Sequence, residues 1–260
     1  MNPNHVLTRA TPTSRWFRTI KASSAPDLRL VCFPHAGGTA NFFRTWAHLI
    51  PDGVELMAVQ YPAREARFLD APAETMEELV AELSAASVDL FDVPIIFFGH
   101  SMGASIAYEL AVHLRAEQGR ALDGLFVSGR EGPGGKKKPG LAEVSDRELI
   151  AALTDMGGTE TEVLLDPSLR ELVLPAIRAD YRLLERYEAH APRNDFVLDV
   201  PIVAYYGIDD ADLDRDAVMA WSAATQSDFH ARAFEGGHFY LIDEVHNLLA
   251  DLFARQRILM

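Results

Sequence analysis

Three short segments of the chain carry side chains that could work together on an acyl group. The first is Gly99-His100-Ser101-Met102-Gly103, a serine held between two glycines. A serine hydroxyl is a weak nucleophile until a base takes its proton, so the next question is which histidine could serve. Three lie late in the chain: His230, His238 and His246. His230 falls inside an apolar strand pattern, and His246 falls on a helical pattern that suits a solvent-facing position. His238 lies in Glu235-Gly236-Gly237-His238-Phe239, after a strand pattern and before a helix, where glycines let a loop carry the imidazole across. A base of this kind needs a carboxylate to orient it and to stabilise the imidazolium. Gly207-Ile208-Asp209-Asp210-Ala211-Asp212 supplies candidates. A G-x-x-D reading of that loop selects Asp210, with Asp209 as the alternative.

These segments need elements to position them. Short apolar runs at Arg29–Phe33, Val54–Val59, Pro94–Phe98, Leu122–Val127, Pro201–Tyr206 and His230–Phe234 alternate with amphipathic stretches such as Met76–Leu90, Ala104–Leu114 and Asp243–Arg255. The runs barely alternate in polarity, as expected for strands buried on both faces. Alternating strands and helices imply a mostly parallel sheet flanked by helices. A further strand is expected around Trp16–Lys21. Ser101 then falls between a strand and a helix, in the tight turn of a nucleophile elbow, with the acid and the histidine following in the order Ser, Asp, His. This is the pattern of the α/β-hydrolase fold. Such a site needs backbone donors for the oxyanion. One is the N–H of Met102, the residue after the nucleophile. The loop Phe33-Pro34-His35-Ala36-Gly37-Gly38 suits the second, with Ala36 at the donor position and His35 in a structural role.

One region breaks the rhythm. Gly129 to Gly140 reads as a loop that includes Lys136-Lys137-Lys138, and the helical patterns Ser145–Thr154 and Pro167–Ala189 follow with no strand between them. Residues from about 134 to 192 are therefore expected to form a helical lid insertion within a single domain spanning 1–260, with residues 1–14 a flexible tail. Met156, Leu164, Leu165, Leu174 and Ile177 are candidates either to line an acyl chamber or simply to pack the insertion, and Gly157-Gly158 is a candidate hinge.

Composition narrows the function classes. The 260 residues carry 24 Lys+Arg against 38 Asp+Glu, a net charge of −14, which argues against nucleic acid or an anionic membrane as partner. No apolar run approaches the ~18 residues of a membrane span. Cys32 is the one cysteine, so no internal disulfide forms and a reducing cytoplasm fits. No metal motif and no strand-linked G-x-G-x-x-G is present, so no metal and no cofactor are expected. A monomer is expected.

Beyond G-x-S-x-G, the segments Phe33-Pro34-His35-Ala36-Gly37-Gly38, Gln60-Tyr61-Pro62-Ala63-Arg64-Glu65, Pro175-Ala176-Ile177-Arg178-Ala179-Asp180-Tyr181 and Gly236-Gly237-His238-Phe239 resemble those of type II thioesterases of polyketide and nonribosomal peptide pathways. The resemblance covers about Trp16 to Leu249. It implies a discrete enzyme that acts on acyl or peptidyl carrier proteins and hydrolyses acyl groups from their phosphopantetheine arm, the arm belonging to the substrate. It implies a triad of Ser101, Asp210 and His238, with Ala36 and Met102 at the oxyanion. Two departures stand out: Ala63 replaces a glycine of the family turn, and no proline follows the aspartate, which keeps Asp209 open. The alternative reading is a carboxylesterase or lipase, or a medium-chain fatty acyl thioesterase, on the same fold.

Overall fold

The structure is a computed structural model and describes residues 12–133, 140–157, 161–187 and 197–259. Among them, seven strands form one sheet in the order β1-β3-β2-β4-β5-β6-β7: β1 Phe17–Lys21, β2 Leu28–Phe33, β3 Val54–Val59, β4 Ile95–His100, β5 Gly124–Ser128, β6 Ile202–Gly207 and β7 Phe229–Phe234. β1 runs antiparallel to β3 at the edge, and every other pairing is parallel. The mostly parallel sheet expected from the sequence is therefore present, and each apolar run falls on a strand.

The lack of polar alternation has a direct cause. Successive side chains on a strand point to opposite faces, and both faces are covered. Val31, Phe33, Phe97 and Val127 enter a core with Leu79, Leu83, Ile106 and Leu110, from helices α2 Met76–Ala86 and α3 Met102–Gln118. Leu30, Cys32, Phe98 and Phe126 enter a second core with Phe43, Trp46, Leu248 and Leu252, from the 3-10 segment Ala40–His48 and the C-terminal helix Val245–Leu259. Cys32 is buried, and burial pushes its thiol pKa well up, as suits a small apolar residue.

Helix ends follow local chemistry. Thr75 caps α2 by accepting the Glu78 N–H at 3.2 Å, and α2 stops at Ala86 rather than running to Leu90. α3 closes on Gly119 in the left-handed conformation (φ 63°), which glycine adopts without a Cβ penalty.

Between β5 and β6 the chain leaves the sheet. α4 Asp146–Met156, α5 Thr161–Leu165 and α6 Pro167–Arg186 lie there. α4 opens with a full capping box from Ser145 and Glu148. α6 opens with Asp166 accepting two backbone N–H groups, and Pro167 follows directly. Leu149, Leu153, Leu164, Leu174 and Ile177 pack into a small core of their own. Leu165 points the other way and is 68% exposed. This overturns its candidacy as a lining residue, because its neighbour Leu164 takes the inward position on a short helix. The lysine run 136–138 and Gly158 lie outside the described residues, as do residues 1–11 of the expected tail. Residues 12–14 correct the rest of that expectation. They open helix α1 Pro12–Trp16, where the Thr13 hydroxyl donates to the Ala86 carbonyl at 2.9 Å and Trp16 is buried.

Candidate active site

The site lies at the carboxyl ends of the parallel strands, where open α/β sheets bind ligands. Ser101 follows β4 and precedes α3 with φ 54° and ψ −117°, a strained backbone of the kind found at functional positions. The strain is held by close backbone approach. A Cβ on Gly99 would overlap the Gly103 carbonyl, and one on Gly103 would overlap the Phe33 carbonyl. The two glycines of G-x-S-x-G are thus required sterically. The Ser101 N–H donates to the Ser128 carbonyl at 2.7 Å, and the Ser101 carbonyl accepts the Ala104 N–H at 3.0 Å. Met102 opens the helix, and the first N–H groups of a helix have no intrahelical acceptor.

Beneath the elbow lies a buried polar chain. His100 Nδ1 is 3.0 Å from Ser128 Oγ, which is 2.7 Å from the Tyr240 hydroxyl. His35 and His100 lie with ring centroids 6.1 Å apart. Phe239 meets both rings, at 4.7 Å and 5.2 Å. Burial, helped by the nearby His238, lowers the His35 pKa to about 3 and takes His100 well below its usual value. Both rings are neutral at physiological pH, which fits the structural role expected of His35. Ser128, Tyr240 and the His100 contact were not legible as parts of the site, since nothing in their local sequence marks them.

The acid and histidine loops meet at the end of β6. A Cβ on Gly207 would overlap the Gly237 carbonyl, so the absent side chain lets the two loops touch. His238 Nδ1 is 2.7 Å from Asp210 Oδ2. A carboxylate can only accept, so Nδ1 carries the proton and the Nε2 lone pair remains available. Asp210 Oδ1 also accepts the Asp212 N–H at 3.0 Å. The Asp210 side chain is 1% exposed, whereas Asp209 is exposed and gives its N–H to the Gly236 carbonyl. The geometry therefore separates the two aspartates that the sequence left open. The His238 ring stands 5.0 Å from that of His100, the residue before Ser101. His230 and His246 are exposed and belong to other surfaces.

Ala36 sits in the loop after β2, whose Phe33 and Pro34 carbonyls lie against Gly103 of the elbow. The Gly38 N–H closes a turn onto the His35 carbonyl at 2.9 Å. The Gly37 N–H donates to Asp180 Oδ2 at 2.7 Å, from helix α6 of the insert. Asp180 also pairs twice with Arg64, Nη1 to Oδ2 at 2.6 Å and Nη2 to Oδ1 at 2.7 Å. Arg64 and Asp180 lie in segments with no local sign of their pairing, because the partners are 116 residues apart. Among the described residues no cluster of three or more His, Cys, Asp or Glu side chains could hold a metal ion, and no helix is long and apolar enough to cross a membrane.

The sheet, the elbow and the order of the loops define an α/β-hydrolase fold. Residues 28–255 match the thioesterase domain model, and the chain belongs to that family, whose members are hydrolases acting on thioesters. It is 37% identical over 238 residues to thioesterase PikA5 of Streptomyces venezuelae, covering 91% of this chain and 84% of that one. It is 31% identical over 255 residues to the gramicidin S biosynthesis protein GrsT of Aneurinibacillus migulanus, covering 98% of each. Its fold superposes on the type II thioesterase BorB from the borrelidin biosynthetic cluster with a TM-score of 0.84 and 35% identity, over 96% of this chain and 99% of that one. The resemblance to type II thioesterases of polyketide and nonribosomal peptide clusters is borne out.

Proposed function

We propose that this protein hydrolyses acyl groups from the phosphopantetheine arm of acyl or peptidyl carrier domains, as a free-standing editing enzyme beside a polyketide or nonribosomal peptide synthase. The observation that carries the reading is the Asp210–His238 pair beside the Ser101 elbow, in a chain that matches discrete biosynthetic thioesterases from end to end.

In this mechanism Ser101 Oγ attacks the thioester carbonyl while His238 Nε2 takes its proton. Asp210 holds Nδ1–H and stabilises the imidazolium that forms. The Gly37 and Gly38 N–H groups are engaged elsewhere, which leaves Ala36 to join Met102 as oxyanion donors; each such donor is worth ~10²–10³ in rate. The tetrahedral intermediate expels the pantetheine thiolate, which receives the proton from His238. Water then attacks the acyl-serine with the same histidine as base, releasing the acid and restoring Ser101. The arm arrives with the substrate, so the enzyme supplies no cofactor.

Intact-mass spectrometry of an octanoyl carrier protein tests the proposal. Wild type should remove the acyl mass, and Ser101→Ala should lower turnover by ~10⁴-fold or more. Carrier left acylated by wild type, while a simple p-nitrophenyl ester is cleaved, would turn the assignment to an esterase.

A further inference from the structure

Arg64 and Asp180 are almost completely buried, at 7% and 6% exposure, and the proposed chemistry uses neither. A buried ion pair is weak evidence of a stability role, since apolar residues of similar volume often serve as well. Their bonds point elsewhere. Asp180 Oδ2 accepts both the Gly37 N–H at 2.7 Å and Arg64 Nη1 at 2.6 Å. Arg64 Nη1 also donates to the Gly38 carbonyl at 3.2 Å. The Gly37–Gly38 segment is therefore gripped at both ends, immediately after Ala36. One turn before Asp180 on α6, Ile177 fills the space over Gly37, where an added Cβ would lie 2.7 Å from Ile177 Cγ1. The turn that presents Arg64 is itself strained. Ala63 and Glu65, on either side of it, both have positive φ (64° and 46°), a conformation that persists only where the surroundings impose it. Arg64 Nε donates to the Pro62 carbonyl at 3.0 Å, and the Tyr61 hydroxyl donates to the Pro34 carbonyl at 3.2 Å. The same turn thus holds the oxyanion loop at a third point.

We infer that Asp180 and Arg64 are positioning residues for the oxyanion loop, so that seating of insert helix α6 and alignment of the Ala36 donor are one event. The inference rests on the oxyanion role proposed for Ala36. The pair touches no substrate. It fixes the peptide beside the donor, and a donor displaced by about 1 Å loses most of its value in the transition state. The insert then contributes to the reaction rate itself, beyond covering the site.

The test compares wild type, Asp180→Asn, Arg64→Lys and the double variant Arg64→Met/Asp180→Leu. For each, the melting temperature is read together with kcat and KM on an acyl-N-acetylcysteamine thioester. Affinity is also measured for a trifluoromethyl ketone, which forms a tetrahedral adduct on Ser101, and for a non-cleavable thioether that binds only as ground state. Single variants should lose both melting temperature and kcat. The double variant leaves no lone buried charge, so its melting temperature should return towards wild type while kcat stays ~10- to 100-fold low, with KM within about threefold. Ketone affinity should fall with kcat, and thioether affinity should hold. Recovery of kcat together with melting temperature in the double variant would make the pair purely structural and overturn the inference. So would parallel loss of ketone and thioether affinity in any variant that stays folded, with Arg64→Lys the mildest change. Wild type that forms the ketone adduct yet leaves acyl carrier protein intact would refute the carrier reading alone, and the two affinities would still report on the loop.

Discussion

Around Ser101 the decisive contacts are backbone against backbone. Gly99 meets Gly103, Gly103 meets the Phe33 carbonyl, and Gly207 meets the Gly237 carbonyl. The insert reaches the same site through side chains: Asp180 on the Gly37 N–H and on Arg64, and Ile177 over Gly37. Backbone contacts cannot relax by changing a rotamer, whereas side-chain contacts can. The elbow is therefore held in one geometry by its backbone, whereas the insert meets the Gly37–Gly38 segment through side chains. Their packing differs in the same sense. The sheet carries two large cores, while the insert has a five-residue cluster with Leu165, Leu169 and Leu172 turned to solvent.

A glycine from each side tests this contrast most severely. Gly103→Ala should destabilise by more than ~4 kcal/mol or prevent folding, because the new methyl overlaps backbone that cannot move. Gly37→Ala adds a left-handed backbone penalty of ~1–2 kcal/mol at φ 75° to a contact at 2.7 Å with Cγ1 of the stiff, β-branched Ile177, a side chain that can still give way, so its cost should exceed that penalty yet stay below that of Gly103→Ala. Denaturant unfolding reads both, and equal costs would erase the distinction. Within the insert, Leu164→Ala should cost ~2–5 kcal/mol as a buried truncation, and Leu165→Ala should stay within about 0.5 kcal/mol. The same unfolding experiment decides it, and a comparable cost for the two would contradict the inward and outward assignment.

A pH-dependent effect concerns the histidines under the elbow. His35 titrates near 3 in the folded protein and near 6.5 when unfolded. Its folded pKa is depressed, so the unfolded chain binds the extra proton and stability falls as pH drops from about 6.5 towards 3. Each such group contributes ~1.4 kcal/mol per pH unit across that window. Unfolding free energies measured between pH 6 and 4 should therefore show a slope shallower by that amount in His35→Gln. An unchanged slope would mean that the ring already charges in the native state.

Features carried by neighbouring residues were legible in the sequence. The apolar runs became strands because period and β-propensity are local, and the elbow was recognisable because its glycines, serine and following helix are contiguous. The G-x-x-D spacing favoured Asp210, but Asp209 shares the loop and stayed open on local grounds. What distinguishes them is that the Gly207–Gly237 contact brings His238 over Asp210 alone. Leu164 and Leu165 illustrate the same limit on a helix too short to show a period.

By itself the sequence determined the alternation of buried strands with helices, the turn at Ser101 and the insert between β5 and β6, because turn sterics and hydrophobic periodicity act between residues a few positions apart. The tertiary structure decided the strand order, the aspartate that meets His238 and the union of Arg64 with Asp180 across 116 residues. A charge names the kind of partner it needs, but only the packed sheet and insert decide which opposite charge is within reach when both are shut away from water.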